Sequence, residues 1–208
     1  MAKKKKKAAE SSAPLFYIFY NQERFDNWLN TLESASFDPP ESEEELPEGV
    51  SVLLHFTEDV TIEVLKIIRL YQNGRFTREE AEKRLQEVEE IVMAPQEGET
   101  GEIVGSMQVN LLVLFAACRA YLEGDFQTDI KTLVKEGRKA GDDDPEESLR
   151  IAAGIGAAVI DGASCCGKYL RDTVDDLTLF DEWLNEVDIM ANAMKSLAKF
   201  DEEAGEAS

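Results

Sequence analysis

Few side chains in this chain are chemically reactive, and their spacing limits what they can do. Cys165 and Cys166 are adjacent, with Ser164 and Gly167 beside them and Lys168 and Arg171 nearby. A vicinal thiol pair close to cations can have lowered pKa values, bind a soft metal or exchange electrons. Cys165 and Cys166 are therefore the candidate reactive thiols. The competing reading makes them small apolar fillers in a helix that opens at Asp144, among Ala152, Ala153, Gly156, Ala157 and Ala163. Free cysteine packs like another small hydrophobe, and this second reading is preferred. His55 is the only histidine. A di-iron bundle needs two Glu-x-x-His motifs, and His55-Phe-Thr-Glu58 runs in the reverse order. Cys118, Cys165, Cys166 and His55 lack the short ligand spacings of a zinc site. Asp142–Asp144 lacks the residue order of a calcium loop and reads as a helix cap. Asp172, Asp175 and Asp176 could gather round Mg²⁺, but they read better as the acidic start of a last helix. Gly154-Ile-Gly156 follows no strand and is not a phosphate-binding fingerprint. No catalytic residue, metal ligand or cofactor-binding residue is assigned, and no cofactor is expected.

The elements that must hold these residues are helical. A helix is expected over about 21–34, followed by a loop over 35–49 with three prolines and six carboxylates. Leu15–Tyr20 and Val50–Phe56 are each readable as a short strand or as part of a helix. From Glu58, Val60, Val64, Ile67, Ile68 and Tyr71 form a helical stripe that stops at Asn73-Gly74. Thr77 and Glu80 form a capping box. The helix they open carries Ala81, Leu85, Val88 and Val92 on one face, with Glu79–Lys83 and Glu80–Arg84 pairs on the other. After a loop over Pro95–Gly101, helix 102–122 is apolar nearly all round from Leu111 to Cys118 and is expected to be central and most buried. A short helix follows at about 128–139. Asp144-Pro145-Glu146-Glu147 is a strong helix start. The last helix, about 175–199, carries Leu177, Phe180, Leu184, Val187, Ala191 and Met194 on one stripe. The organisation is a disordered lysine-rich tail (1–13), a single all-α domain of six or seven helices (14–200) and an acidic disordered tail (201–208).

Two internal echoes run through that domain. Residues 25–30 read Phe-Asp-Asn-Trp-Leu-Asn and residues 180–185 read Phe-Asp-Glu-Trp-Leu-Asn. On a helix, Phe25 and Trp28 share one face, as do Phe180 and Trp183. These aromatic stripes suit burial within the chain, with exposed docking stripes as the alternative. Fifty residues also separate two similar corners, Arg69-Leu-Tyr71-Gln-Asn-Gly74-Arg-Phe76 and Arg119-Ala-Tyr121-Leu-Glu-Gly124-Asp-Phe126. Each is read as a helix, a glycine-stopped corner and a second helix, with Arg69 and Arg119, and Tyr71 and Tyr121, in equivalent places.

Charge narrows the partners. The chain carries a net −21, unevenly spread: residues 1–14 hold five lysines and one glutamate, and the rest holds 17 basic and 42 acidic side chains. Such a body repels phosphate backbones, so duplex nucleic acid is a poor partner for it. The run Lys3–Lys7 is the one basic feature and could touch RNA in a salt-dependent way. The longest apolar run, Leu111 to Cys118, is eight residues, short of the ~20 that a membrane span needs. Three cysteines without a framework spacing point to free thiols in a reducing cytoplasm.

The opening Phe-Tyr-Ile-Phe-Tyr-Asn-Gln-Glu-Arg-Phe-Asp-Asn-Trp-Leu, the Arg-x-Tyr-x-x-Gly corners and the acidic helical body resemble an uncharacterised archaeal family, a domain of unknown function. The resemblance covers roughly residues 15–200. It implies an archaeal cytoplasmic protein and brings no activity. The residues lead to a non-enzymatic helical interaction or adaptor protein whose partner is another protein, with Phe25, Trp28, Arg69, Tyr71, Arg119, Tyr121, Phe180 and Trp183 as its structural or interaction positions. The alternatives are a thiol-based redox or metal-binding protein using Cys165 and Cys166, and an RNA-associated factor using Lys3–Lys7.

Overall fold

The computed structural model describes residues 19–40, 42, 45–164, 166–171 and 177–206, the stretch 199–206 by its backbone. Within them are seven α-helices and no strand: α1 (Gln22–Ser34), α2 (Glu48–Gln72), α3 (Arg78–Val92), α4 (Gly98–Glu123), α5 (Ile130–Ala140), α6 (Pro145–Ile160) and α7 (Leu179–Glu206). A single 3₁₀ turn, Gly167–Tyr169, lies between α6 and α7.

Local signals set most of the boundaries. Asn21 caps α1 by accepting from the Arg24 N–H. Thr77 and Glu80 form the capping box that opens α3. Asp144 accepts from the Glu147 N–H and Pro145 occupies the first turn of α6. Gly74 (φ +65°) and Gly124 (φ +76°) turn the chain out of α2 and α4 in the left-handed conformation. That conformation is nearly free of strain for glycine alone.

Several boundaries differ from expectation. Val50–Phe56, open between a strand and a helix start, is helical, because α2 begins at Glu48 and runs unbroken to Gln72. Helix α4 starts at Gly98 and shortens the loop after Pro95. Helix α7 begins at Leu179, with Thr178 Oγ1 accepting from the Asp181 N–H, and it continues through Glu206 rather than ending before an acidic tail. Residues 201–204 are aspartate, glutamate and alanine, of which Glu and Ala are good helix formers, so the periodic stripe can end before the helix does. Helix α6 stops at Ile160. There Gly162 N–H bonds Val159 O and Ala163 N–H bonds Ala158 O, a Schellman closure. Cys166 therefore lies beyond the helix and not within it, contrary to the filler reading. Glu79–Lys83 and Glu80–Arg84 are replaced by Arg78–Glu82, Lys83–Glu87 and Arg84–Glu87, because Glu80 is committed to the cap.

Side-chain contacts fix the directions of the helices. Trp183 of α7 meets Val109 of α4 near one end of the fold. Met194 of α7 and Tyr121 of α4 share a cleft further along, so the two helices run the same way. Gly156 of α6 sits against Ala117 of α4 and against Val187 and Met190 of α7. Helices α3 and α5 run back between their neighbours: Arg119 and Gln108 of α4 reach Glu89 and Val92 of α3, and Gly137 of α5 receives the Phe180 ring. The frame is thus four parallel helices, α2, α4, α6 and α7, with α4 also packed on α1 and α3. Helix α1 is fastened to α2 by Trp28, which stacks on Phe56 at 5.4 Å.

The most buried helix is α6, with ten of its sixteen residues buried, against nine of twenty-six for α4. The expectation placed α4 there. Small residues let α6 approach its neighbours closely, as Gly156 does against Ala117, and most of its faces then meet protein. Helix α4 is nonetheless long and apolar enough, by length and composition, to cross a membrane, although no uninterrupted apolar run revealed it.

Candidate functional site

Because α2, α4 and α6 run in one direction, their C-terminal ends arrive together. They leave an open cleft of about 540 Å³ between the ends of α2, α4 and α6 and the middle of α7. Its polar lining is Arg69, Gln72 and Asn73 from α2, Tyr121 from α4, Asp161 and Ser164 after α6, and Lys195 from α7. Val159, Ile160, Ala163, Ala191, Met194 and Ala198 supply the apolar part.

Gln72 organises the floor. Its amide nitrogen donates to the Tyr121 hydroxyl at 3.2 Å and to the Ile160 carbonyl at 3.0 Å, and its oxygen accepts from Arg69 Nη1 at 3.1 Å. These bonds hold three helix ends in register. Tyr71 and Tyr121 meet edge to face beneath the corner, 6.3 Å apart. Several of the last carbonyls of α2 and α6 are occupied: the N–H groups of Asn73 and Arg75 donate to Arg69 O and Leu70 O, Ala163 N–H donates to Ala158 O, and the Gln72 amide donates to Ile160 O.

The two corners are alike in backbone and different in use. Arg69 faces the cleft. Arg119 is exposed, forms an ion pair with Glu89 that raises its pKa, and lines a smaller hollow of about 240 Å³ with Glu82, Leu85, Gln86 and Glu123. Of the singled-out residues, then, Arg69 and Tyr121 come together in the large cleft, and Tyr71 supports them from below. Phe25, Phe180 and Trp183 are core side chains. Trp28 is half-buried, and its indole N–H donates to Asp59. Asp59 also holds Arg24, which bridges to Glu63, which in turn pairs with Lys66. The Tyr20 hydroxyl is buried nearby without a partner; burial first, and then the Asp59 charge, raise its pKa.

The expected thiols divide. Cys118 is free and wholly buried, and burial holds it in the protonated form. Cys166 is buried and disulfide-bonded, against the expectation of free thiols; it sits in loop backbone two residues past Ser164 on the cleft rim. Cys165, Lys3–Lys7, Asp172, Asp175 and Asp176 lie outside the described residues. Among the described residues no group of three or more His, Cys, Asp or Glu is placed to hold a metal. His55 is exposed on α2.

Gln72, Lys195, Asp161 and Ser164 escaped the sequence reading. Gln72 was findable. The corresponding residue of the second corner is the buried Leu122, so a polar side chain breaks the repeat where its partner is apolar. Lys195 carries no such mark, because its importance depends on where α7 lies.

The family model described as an uncharacterized protein conserved in archaea (DUF2150) matches residues 18–203, and the chain belongs to that family. No curated protein and no solved structure matches the chain.

Proposed function

We propose that this member of an archaeal-conserved family is a non-enzymatic docking module, and that the cleft at the joined ends of α2, α4 and α6 receives another protein. One observation carries the reading. The most distinctive repeated residues, Arg69 and Tyr121, are brought from two corners into one open cleft and are locked there by Gln72. The buried ion pairs elsewhere serve packing. Arg138, for example, ties Asp181 of α7 to the Tyr169 carbonyl.

A photo-cross-linking amino acid placed at Ala163 tests this, with the exposed Lys83 of α3 as the control position. The expected result is one partner captured at Ala163 and not at Lys83, rebinding when both proteins are purified, and lost when Ala163→Trp fills the cleft. Equal capture at both positions, or a partner indifferent to Ala163→Trp in a normally folded protein, would contradict the reading.

A thiol-based role is the second reading, favoured by the disulfide at Cys166 beside the cleft rim. Dithiothreitol would supply two electrons and open that bond to two thiols. A reversible gain of two titratable thiols with a change in partner affinity would support it; unchanged affinity after reduction would count against it.

A further inference from the structure

We infer that α5 presents a second interaction surface, whose partner is a helix carrying carboxylates at i, i+4 and i+8 with basic residues beyond them at either end. No residue of α5 lines the cleft, so this surface stands apart from the docking reading above. Helix α5 buries Ile130, Leu133, Val134 and Gly137. Its outer side carries Lys131, Lys135 and Lys139, all exposed, at the spacing that puts them in one row. Each step in that row advances about 6 Å along the axis. None of the three is in an ion pair among the described residues, in a chain with 43 acidic side chains. By contrast, Arg78, Lys83 and Arg84 of α3 pair with glutamates a turn away, Arg119 pairs with Glu89 and Arg150 pairs with Glu147.

The needs of the helix itself do not account for the row. Lys139, in the last turn, suits the negative end of the helix dipole, but Lys131 lies in the first turn, where a cation opposes it. The other charges of α5 are directed elsewhere. Arg138 is committed to Asp181 and to the Tyr169 carbonyl. Glu136, the one acid of the helix, lies on another row; the pKa of Arg150 on α6 is raised by its bond to Glu147 and, to a smaller degree, by Glu136.

The ends of the row select the partner. Asp125 and Asp129 precede it and Asp142, Asp143 and Asp144 follow it, all exposed. The positive window is therefore only about 12 Å long, the rise of eight helical residues. A nucleic-acid strand carries its charge without a break, so phosphates beyond the window would meet those aspartates. Helix α5 also has no aromatic side chain on which a base could stack. A helix with three carboxylates one turn apart repeats the spacing of the lysines, and basic residues at its ends answer the aspartates. Exposed ion pairs add little affinity each, so the row chiefly steers the approach and fixes the register.

The test uses the full chain and two fluorescein-labelled, alanine-based helical peptides of identical composition, each with three glutamates between paired lysines. In the first the glutamates stand at i, i+4 and i+8; in the second they are spread round the helix. Binding is read by anisotropy at about 20 mM NaCl, where surface charges are weakly screened. A labelled uridine dodecamer serves as the unbroken polyanion. The aligned peptide is expected to bind about tenfold more tightly than its isomer, the scale of three exposed ion pairs. Identical composition cancels the general attraction of the acidic body for lysine. Lys131→Gln, Lys135→Gln and Lys139→Gln together should remove the advantage and leave the isomer bound no more weakly. Equal binding of the two peptides to the parent chain would overturn the inference without any variant. So would an advantage that survives the triple substitution in a chain with the parent's circular dichroism. A dodecamer that binds more tightly than the aligned peptide, and loses that binding in the triple variant, would assign the row to nucleic acid and overturn the helix partner.

Discussion

At the scale of single residues, the two tryptophans show how one short phrase is used twice. Trp183 is 2% exposed and donates its indole N–H to the Val109 carbonyl at 2.9 Å, inside the α4–α7 contact. Trp28 stacks on Phe56 and donates to Asp59 at the rim of the core. Trp183→Ala is expected to cost about 3–5 kcal/mol in chemical denaturation, as large core truncations do. Tyr20 runs the other way. Its buried hydroxyl has no partner, so Tyr20→Phe should be neutral or stabilising in the same assay. Glu186 on α7 is a third case, because burial pushes its carboxyl up to about 7 from an ordinary 4.5. Between those values the folded state binds more protons than the unfolded chain. Stability contributed by this group therefore falls as pH rises through that window. Glu186→Gln should be more stable relative to the parent at about pH 8 than at about pH 4, with the difference developing across that interval. A constant difference at all pH values would show that Glu186 ionises normally.

At the scale of elements, the sequence was most informative where the chemistry is local. Caps at Thr77 and Asp144 and left-handed glycines at 74 and 124 depend on a few neighbouring residues, and each was legible; the Asn21 cap was not, because the expected first helix includes that residue. Val50–Phe56 was ambiguous because a short apolar run has no period of its own; it became helix by continuity with Val60–Tyr71. The rank of α6 over α4 in burial was not legible, since hydrophobicity reports what a helix tolerates and not how many neighbours surround it. Two glycines separate conformation from packing. At Gly124 nothing crowds a new Cβ, so Gly124→Ala should cost about 1–2 kcal/mol through positive φ alone. At Gly156, in ordinary helix, a Cβ would lie 2.6 Å from that of Ala117. Gly156→Ala should cost about 1–3 kcal/mol by overpacking, and a second change, Ala117→Gly, should recover much of it. Denaturant midpoints of the single and double variants measure this directly.

At the scale of the whole molecule, parallel helices turn scattered residues into one surface. Sequence identified Arg69 and Tyr121 through repetition, but their meeting depends on three helix ends arriving at one level, which no local pattern encodes. Lys195 and Ser164 join them from segments far away in the chain. The charge of −21 acts on the same scale, because mutual repulsion opposes compaction. Raising NaCl to about 0.5 M should raise the melting temperature by screening that repulsion. The docking cleft itself is tested most directly by the ε-methyl signals of ¹³C-labelled methionines. Met194 lines the cleft, whereas Met93 lies at the far end of α3, away from it. Titration with a protein partner captured at Ala163 should move the Met194 methyl resonance to saturation and leave Met93 in place. Saturable binding that moves Met93 and spares Met194 would show that the working surface lies elsewhere.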